Sequence, residues 1–247
     1  MSFAKYRGYN FLRTVLFNYR MFPRDVAKVL PVKVGWRVDL KGLTRGSVQL
    51  REGVSPHRFM VRIGCSSWQL YSNKSMRTLL WMTSGSRLTV GDDTDFCCGS
   101  RTVITAGGSV SLGDDFFINQ NSLIYCSKSI SFGEHCTIGW DSQVYDTDFH
   151  ICEDIVTGEP ASPVAPVRAG DNVWISNRCT IAKGSVLPSC CIVASNSLVN
   201  KDLSELEGQG VLLAGVPVSV KRTGIARVTD KKREAKLRKG FLREKNK

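Results

Sequence analysis

The sequence predicts an all-β protein built as a parallel β-helix, and two periodic patterns predict it. Large aliphatic residues recur at every sixth position late in the chain, at Ile175, Ile181, Leu187, Val193 and Val199. A second series of smaller residues lies two positions ahead of each, at Val173, Cys179, Ser185, Cys191 and Ser197. An even spacing keeps side chains on one face of a strand, whereas a helix, with a period near 3.6, would scatter them. Chained hexapeptides therefore predict the flat sides of a coil.

A longer motif gives successive turns of the predicted coil the same beginning. It reads apolar, variable, apolar or small, Gly, Asp or Glu, three variable residues, apolar. Four segments follow it: Leu88 to Phe96, Val110 to Ile118, Ile130 to Ile138 and Val167 to Ile175. The first three begin 22 and then 20 residues apart, which is close to three hexapeptides with small corner insertions. The Gly-Asp pair suits a corner because Gly accepts a positive φ and Asp bonds nearby backbone.

A long insertion interrupts the coil at residues 145–166, because the fourth motif begins 37 residues after the third. The inserted segment is polar, contains proline and lacks the six-residue period. A loop of this length inside a regular solenoid is usually functional. It carries His150.

Both ends of the chain predict helices, and the middle predicts one domain. Residues 1–35 form a predicted N-terminal helical segment, with helically spaced apolar residues at Phe11, Leu12, Val15, Leu16 and Tyr19. A second short helix is expected from Arg24 to Leu30, between two prolines. Residues 36–220 form the predicted β-helix, with early strands near 46–50 and 59–64. Residues 221–247 form a predicted helical basic tail.

Charge is concentrated at these ends. Residues 221–247 hold 12 Lys or Arg against 3 Asp or Glu, and residues 1–30 hold 6 against 1, so the middle is nearly neutral although the chain carries +12. This distribution disfavours nucleic acid as a partner of the core. It allows peripheral contact of the basic ends with an anionic membrane, or simply a solvated tail.

Composition indicates a cytoplasmic protein, which the basic ends would hold at the inner face of the membrane. No apolar run approaches the roughly 18 residues of a membrane span, and the basic N-terminus lacks the features of a secretory signal. The nine cysteines include two adjacent pairs and no CxxC spacing. Several occupy the small inward positions of the coil, so reduced structural thiols and no metal site are expected.

The chain resembles the hexapeptide-repeat acetyltransferases of the galactoside and maltose acetyltransferase type. The residues that carry the resemblance lie between about 88 and 222: the hexads, the loop sequence Asp146-Thr-Asp-Phe-His150, the run from Gly170 to Asp202, and Ala214 to Arg222. Within this superfamily it is most similar to O-acetyltransferases of capsular and surface polysaccharides. The resemblance implies a left-handed β-helix and a homotrimer with active sites between subunits. It also implies direct transfer of acetyl from acetyl-CoA to a hydroxyl of a carbohydrate acceptor.

The resemblance makes His150 the general base. Imidazole has a reference pKa near 6.5, so it can accept the proton of a hydroxyl at neutral pH and later protonate a thiolate. Asp146 and Asp148 are candidates to orient its ring, as a carboxylate does in a catalytic triad, and the alternative is that both are solvated. The other two histidines, His57 and His135, lie in less suitable positions.

The resemblance also assigns binding residues. Asn119 matches an asparagine that contacts the acceptor hydroxyl, although a corner asparagine can also bond its own backbone. Trp174 is expected to point outward near the loop, against substrate or pantetheine or as a cover of the coil. Cofactor-binding positions are matched by Asn177, Ser195, Lys201, Lys221 and Arg222. Two departures are a serine, Ser127, at an acceptor-site aspartate position and another, Ser219, where an arginine is frequent.

Two other functions remain open. The first is a non-catalytic trimeric β-helix scaffold, which retention of CoA would distinguish from the enzyme. The second is a β-helix carbonic anhydrase, which needs three histidines at one zinc, whereas the three in this chain are widely spaced. A nucleotidyltransferase is disfavoured, because the sequence before the hexads contains no Gly-rich phosphate-binding loop.

Overall fold

The chain folds into one three-sided coil of parallel strands. The structure is a computed structural model and describes residues 4–6, 8–68 and 76–244. Each side is one parallel sheet, and successive strands within a sheet come from successive turns of the chain. The chain passes from the nine-stranded face to the seven-stranded face, then to the six-stranded face, and repeats. This is the parallel β-helix that the period of six predicts, and the predicted fold class is confirmed.

The bounds of the strands are as follows. The nine-stranded face contains Val32–Val34, Val61–Ile63, Thr94–Phe96, Phe117–Ile118, Thr137–Ile138, Trp174–Ile175, Cys191–Val193, Val211–Gly215 and Val218–Thr223, of which the last pairs antiparallel. The seven-stranded face contains Val38–Lys41, Thr78–Met82, Arg101–Ile104, Leu123–Cys126, Gln143–Tyr145, Thr180–Ile181 and Leu198–Val199. The six-stranded face contains Val48–Leu50, Arg87–Val90, Ser109–Leu112, Ser129–Phe132, Val167–Ala169 and Val186–Leu187. Two antiparallel pairs lie outside these faces: Ala4–Tyr6 with Ser66–Trp68, and Cys152–Glu153 with Pro160–Ala161.

The interior of the coil is the core that the hexads predict. Ile175, Ile181, Leu187, Val193 and Val199 are at most 1% exposed. The smaller series two residues ahead of them is buried as well, from Val173 to Ser197. Aliphatic side chains stack from turn to turn because equal registers pair across neighbouring strands, so each turn covers the apolar surface of the one below.

The Gly-Asp corners differ from the prediction in one respect. The positive φ falls two residues after each glycine, at Asp93, Asp115, His135 and Asn172. The glycines are needed for close approach instead, since a Cβ at Gly113 would lie 2.5 Å from the backbone of Gly133 in the next turn. The acidic residue reaches the neighbouring turn too: Asp114 Oδ1 accepts the amide of Asp92 at 2.8 Å. These corners therefore hold adjacent turns together.

Three α-helices flank the coil: α1 at Phe11–Met21, α2 at Arg24–Ala27 and α3 at Lys231–Glu244, with a 3₁₀ turn at Ser204–Leu206. Asn10 caps α1 by accepting the Arg13 amide at 3.0 Å. The buried side of α1 carries Phe17 and Met21 together with two polar residues, Thr14 and Asn18. The Asn18 side chain bonds both backbone groups of Val32 in the first strand, so α1 closes the N-terminal end of the coil.

The apolar residues used to predict α1 lie on its outer side. Phe11, Leu12, Leu16 and Tyr19 are exposed, and α2 ends earlier than the predicted Leu30. The amphipathic pattern located the helix correctly but did not show which face packs, because polar Thr14 and Asn18 are buried to bond strand edges. None of the helices among the described residues is long and apolar enough to cross a bilayer.

The segment after the last strand runs back along the coil. Ile225 donates its amide to Gly210 at 3.1 Å, near the C-terminal end. Arg227 then bonds Thr137 and lies over the ring of Trp174, and Lys231 contacts Asp115 and Asp93 at 2.8 Å each. The contacts descend turn by turn, so this strap, residues 224–231, leads toward the N-terminal end of the coil.

The nine cysteines differ in exposure, and the structure predicts how they react. Seven are buried, Cys190 is half-buried and Cys152 is exposed in the loop. Burial raises the pKa of Cys65, Cys136 and Cys191 to about 12, so these thiols carry almost no reactive thiolate at pH 8. With Ellman's reagent we expect one fast equivalent in the native protein, a slower second one, and the remainder only in denaturant. Cys152→Ser should remove the fast phase, and several fast native thiols would contradict this packing.

Candidate active site

The insertion at 145–166 leaves the coil between the seven-stranded and six-stranded faces and is closed at its neck. Thr147 pairs with Val164, the Asp148 amide donates to Pro163 at 2.8 Å, and the Ala165 amide donates to Asp146 at 3.0 Å. Beyond the neck the segment forms a short exposed hairpin. The hydrogen bonds of the neck therefore hold both ends of the loop against the coil.

Phe149, the residue that precedes His150, is anchored by its backbone and by its ring. Its φ is 65°, and its amide donates to Thr147 Oγ1 at 3.0 Å. The ring packs edge-on against Tyr125 at 4.8 Å and also faces Tyr145 at 6.2 Å, on the outside of the seven-stranded face. This arrangement positions the backbone of His150 at the edge of that face.

His150 is exposed and has no hydrogen-bond or ionic partner among the described residues of the chain. The other two histidines are engaged: His57 Nε2 lies 2.8 Å from Asp92, and His135 Nδ1 lies 3.1 Å from Asp115. An unpartnered imidazole keeps both ring nitrogens available for another molecule. His150 is thus the histidine best placed to act on a substrate.

The two carboxylates considered as orienting groups have other partners in the single chain. Asp146 is fully buried, and its carboxylate accepts the amides of Ser127 and Lys128 at 2.7 Å each. The Cys126 thiol also donates to it at 3.3 Å, and burial, together with the negative charge of Asp146, raises the pKa of that thiol. Its observed contacts thus hold the loop neck to the preceding turn, which the flanking sequence did not indicate.

Asp148 lies on the surface and forms an ion pair with Lys183 at 2.5 Å. Lys183 also donates to the carbonyl of Ser162 on the other side of the loop at 2.7 Å. Asp148 therefore belongs to a contact that ties the two sides of the loop together, and it does not contact His150 in this chain.

Polar residues line the corner between the nine-stranded and seven-stranded faces. Asn119 is buried and its Oδ1 accepts the adjacent Gln120 amide at 2.8 Å, which is the local backbone contact considered as the alternative to acceptor binding. Asn177 lies two turns further on and Ser195 three, and Ser195 donates to Asn177 Oδ1 at 2.6 Å. Gln120 is fully buried, and its amide group has no partner among the described residues. No pattern in the sequence indicates that unpartnered amide.

Trp174 points outward as predicted, and it lies on a different face of the coil from the strand that leads into the loop. It is on the nine-stranded face, 38% exposed, with the Arg227 guanidinium 6.0 Å from the ring centre. The loop leaves the coil at the corner between the seven-stranded and six-stranded faces. Trp174 consequently serves as the contact point of the strap in this chain.

The predicted cofactor cations cluster toward the C-terminal end of the coil. Lys201 follows the last strand of the seven-stranded face, and Lys221 and Arg222 lie on the antiparallel strand Val218–Thr223. All three are exposed, and none has an ionic partner among the described residues. Such cations and the Asn177–Ser195 pair are chemically suited to phosphates and amides of an extended ligand.

The site residues occupy two edges of the seven-stranded face. His150 lies at the edge where the loop leaves, while Asn119, Asn177 and Ser195 lie at the edge where the chain enters. A four-residue strand such as Leu123–Cys126 separates these edges by about 13 Å. The predicted base and the predicted binding residues therefore follow opposite ends of the strands of one face. The described residues also contain no group of three His, Cys, Asp or Glu side chains that could hold a metal ion.

Known acetyltransferases are similar to this chain in sequence. It is 26% identical to the galactoside O-acetyltransferase of Escherichia coli over 117 residues, which is 47% of this chain and 55% of that enzyme. It is 28% identical to the Saccharomyces cerevisiae protein YJL218W, also named as an acetyltransferase, over 125 residues, covering 51% of this chain and 59% of that protein. The chain thus spans little more than half the length of these curated relatives. No protein-family model matches it.

Solved structures share the fold. The polysialic-acid-specific acetyltransferase NeuO superposes with a TM-score of 0.59 at 16% identity, covering 78% of this chain and 79% of that one. At this identity the likeness establishes the architecture and not the substrate. The resemblance to hexapeptide-repeat acetyltransferases is thus confirmed by the sequences of acetyltransferases and by the shared β-helix.

Proposed function

We propose that the protein is an O-acetyltransferase that moves the acetyl group of acetyl-CoA to a sugar hydroxyl. The observation that carries the proposal is His150, which has no partner among the described residues and lies at the closed neck of the long loop that follows the strand Gln143–Tyr145. Sequence similarity to galactoside O-acetyltransferase supports the acetyl group and the sugar. A surface or capsular polysaccharide, or its precursor, is the acceptor class that we propose.

In the proposed mechanism His150 removes the proton of the acceptor hydroxyl as the oxygen attacks the thioester carbonyl. The carbon–sulfur bond then breaks, the acetyl group stays on the acceptor oxygen, and the sulfur leaves as a thiolate. The imidazolium returns its proton to that thiolate, so the histidine ends in its starting state. General base catalysis of this kind contributes about 10²–10⁴-fold in rate.

Acetyl-CoA suits the residues at the C-terminal end of the coil. The exposed cations Lys201, Lys221 and Arg222 would bind its phosphates, and Asn177 with Ser195 would hydrogen bond its amide-containing arm. Asn119 would bind the acceptor hydroxyl. These roles follow the resemblance, and the absence of competing ion partners for the three cations among the described residues supports them.

We infer further that the active protein is a homotrimer. The proposed base and the proposed binding residues lie on opposite edges of one face, so a neighbouring copy is needed to bring the two edges together. The reaction is proposed to be cytoplasmic, since thiols outside any disulfide, such as Cys65, Cys136 and Cys152, suit a reducing compartment.

Acetyl-CoA consumption measured against a panel of mono- and polysaccharides tests the proposal. We expect release of free CoA to depend on at least one acceptor, and the product to carry an ester that mild base removes. A single variant that carries Lys201→Ala, Lys221→Ala and Arg222→Ala together should raise the KM for acetyl-CoA at least tenfold, because phosphate contacts are lost. Arg45→Ala, an exposed cation at the other end of the coil, is the matched control. A protein that neither retains CoA nor consumes acetyl-CoA would support the scaffold function instead.

A further inference from the structure

The outer side of α1 carries a stripe of large apolar side chains that no described residue covers. Phe11, Leu12, Leu16 and Tyr19 are 59%, 66%, 60% and 50% exposed. Trp36, whose carbonyl accepts from Arg13 at 3.5 Å, is 65% exposed. Exposed apolar patches of this kind mark sites of interaction with a protein or a membrane.

The helix α3 also exposes apolar side chains, and it carries more positive charge than α1. Lys231–Glu244 contains seven Lys or Arg against two Glu. Leu237 and Phe241, one turn apart, are 43% and 66% exposed, and they line a shallow groove with Arg233, Lys236 and Gly240. An apolar stripe bordered by cations is the pattern of helices that lie in the interface of an anionic bilayer.

The strap brings these two features from opposite ends of the sequence toward one end of the coil. α1 packs on the first strand of the nine-stranded face, and Lys231 binds Asp93 beside the third. Two strand spacings separate these levels, which is about 10 Å. A 14-residue helix is about 21 Å long, so α3 can act at the same end as α1.

We propose that the N-terminal end of the coil, formed by the α1 stripe with Trp36 and by α3, binds the surface of an anionic phospholipid membrane. Lipids supply both an apolar layer for the seven exposed apolar side chains and phosphate groups for the cations. A second copy of the chain would place cations of α3 against like charge, and a soluble acidic polysaccharide would leave the apolar stripe exposed. Both alternatives are therefore less complementary to this surface.

Co-sedimentation with lipid vesicles tests the proposal on the full chain. We expect wild-type protein to bind phosphatidylcholine vesicles that contain about 30% phosphatidylserine at least tenfold more tightly than vesicles of pure phosphatidylcholine. High salt should release the protein from the vesicles. Leu12→Glu with Leu16→Glu should weaken binding at least tenfold. Lys236→Glu with Lys239→Glu should weaken it similarly and reduce its salt dependence.

Matched controls separate this surface from general apolar or charge effects. Ile155→Glu removes an apolar residue of the loop that is more exposed still, at 97%, and Arg101→Glu reverses an exposed charge on the seven-stranded face. Both should bind vesicles like wild type, and circular dichroism should show all variants folded. Absence of wild-type binding, or unchanged binding by the α1 variant, would overturn the proposal. So would an α1 variant that changes the oligomeric mass alone, or a wild type that binds only acidic polysaccharide. Acetyl transfer to a soluble acceptor should be unaffected, so this test is independent of the proposed function.

Discussion

Replacing His150 with alanine is expected to lower acetyl transfer by about 10²–10⁴-fold, the usual contribution of a general base. A hydroxyl is a weak nucleophile at neutral pH, and the transition state requires a group that accepts its proton. Because His150 is exposed and has no partner among the described residues, its removal should not change the melting temperature or the KM for acetyl-CoA. The measurement is initial rate against acceptor and acetyl-CoA concentration, with thermal unfolding alongside.

His57→Ala is the matched control for this variant. His57 is also exposed, but its Nε2 contacts Asp92 at 2.8 Å at a corner far along the chain from the loop. We expect its turnover to stay within twofold of wild type. Turnover of the His150 variant close to that of wild type would remove His150 from the mechanism.

Replacing Asp146 with alanine is expected to destabilise the protein by about 3 kcal/mol, because two backbone amides lose their acceptor at a cost of about 1–3 kcal/mol each. For a chain of this size the melting temperature should fall by roughly 6–12 °C. Asp148→Ala should cost at most about 1 kcal/mol, since the ion pair with Lys183 is partly exposed. Differential scanning calorimetry of both variants checks the difference.

The pair of variants also decides between two functions of these carboxylates. If Asp146 acts only through the loop neck, the alanine variant should keep most of its turnover at temperatures where it remains folded. Loss of turnover with an unchanged melting temperature would instead restore Asp146 as an orienting group for His150. The same outcome for Asp148→Ala would indicate that its carboxylate leaves Lys183 when the active assembly forms.

The architecture was predictable because the signal for it is local. Every sixth side chain, such as Ile181 and Leu187, is buried at equivalent positions of successive strands, so a short stretch of sequence already contains the repeat. The loop was predictable for the same reason, as a break in that period. The corner glycines are evident in the sequence, where they indicate a special backbone conformation, whereas the structure shows that they allow close contact between turns.

The sequence by itself determined the β-helix, its loop and the histidine that the loop carries, since each depends on periodicity or on its interruption. Only the tertiary structure decided that Asp146 holds backbone amides, that α1 turns its apolar stripe outward, and that the strap carries α3 back along the coil. Lys231 and Asp93 are 138 residues apart, and no local pattern records such a contact. It forms because docking of distant segments selects partners by shape and charge after the coil exists.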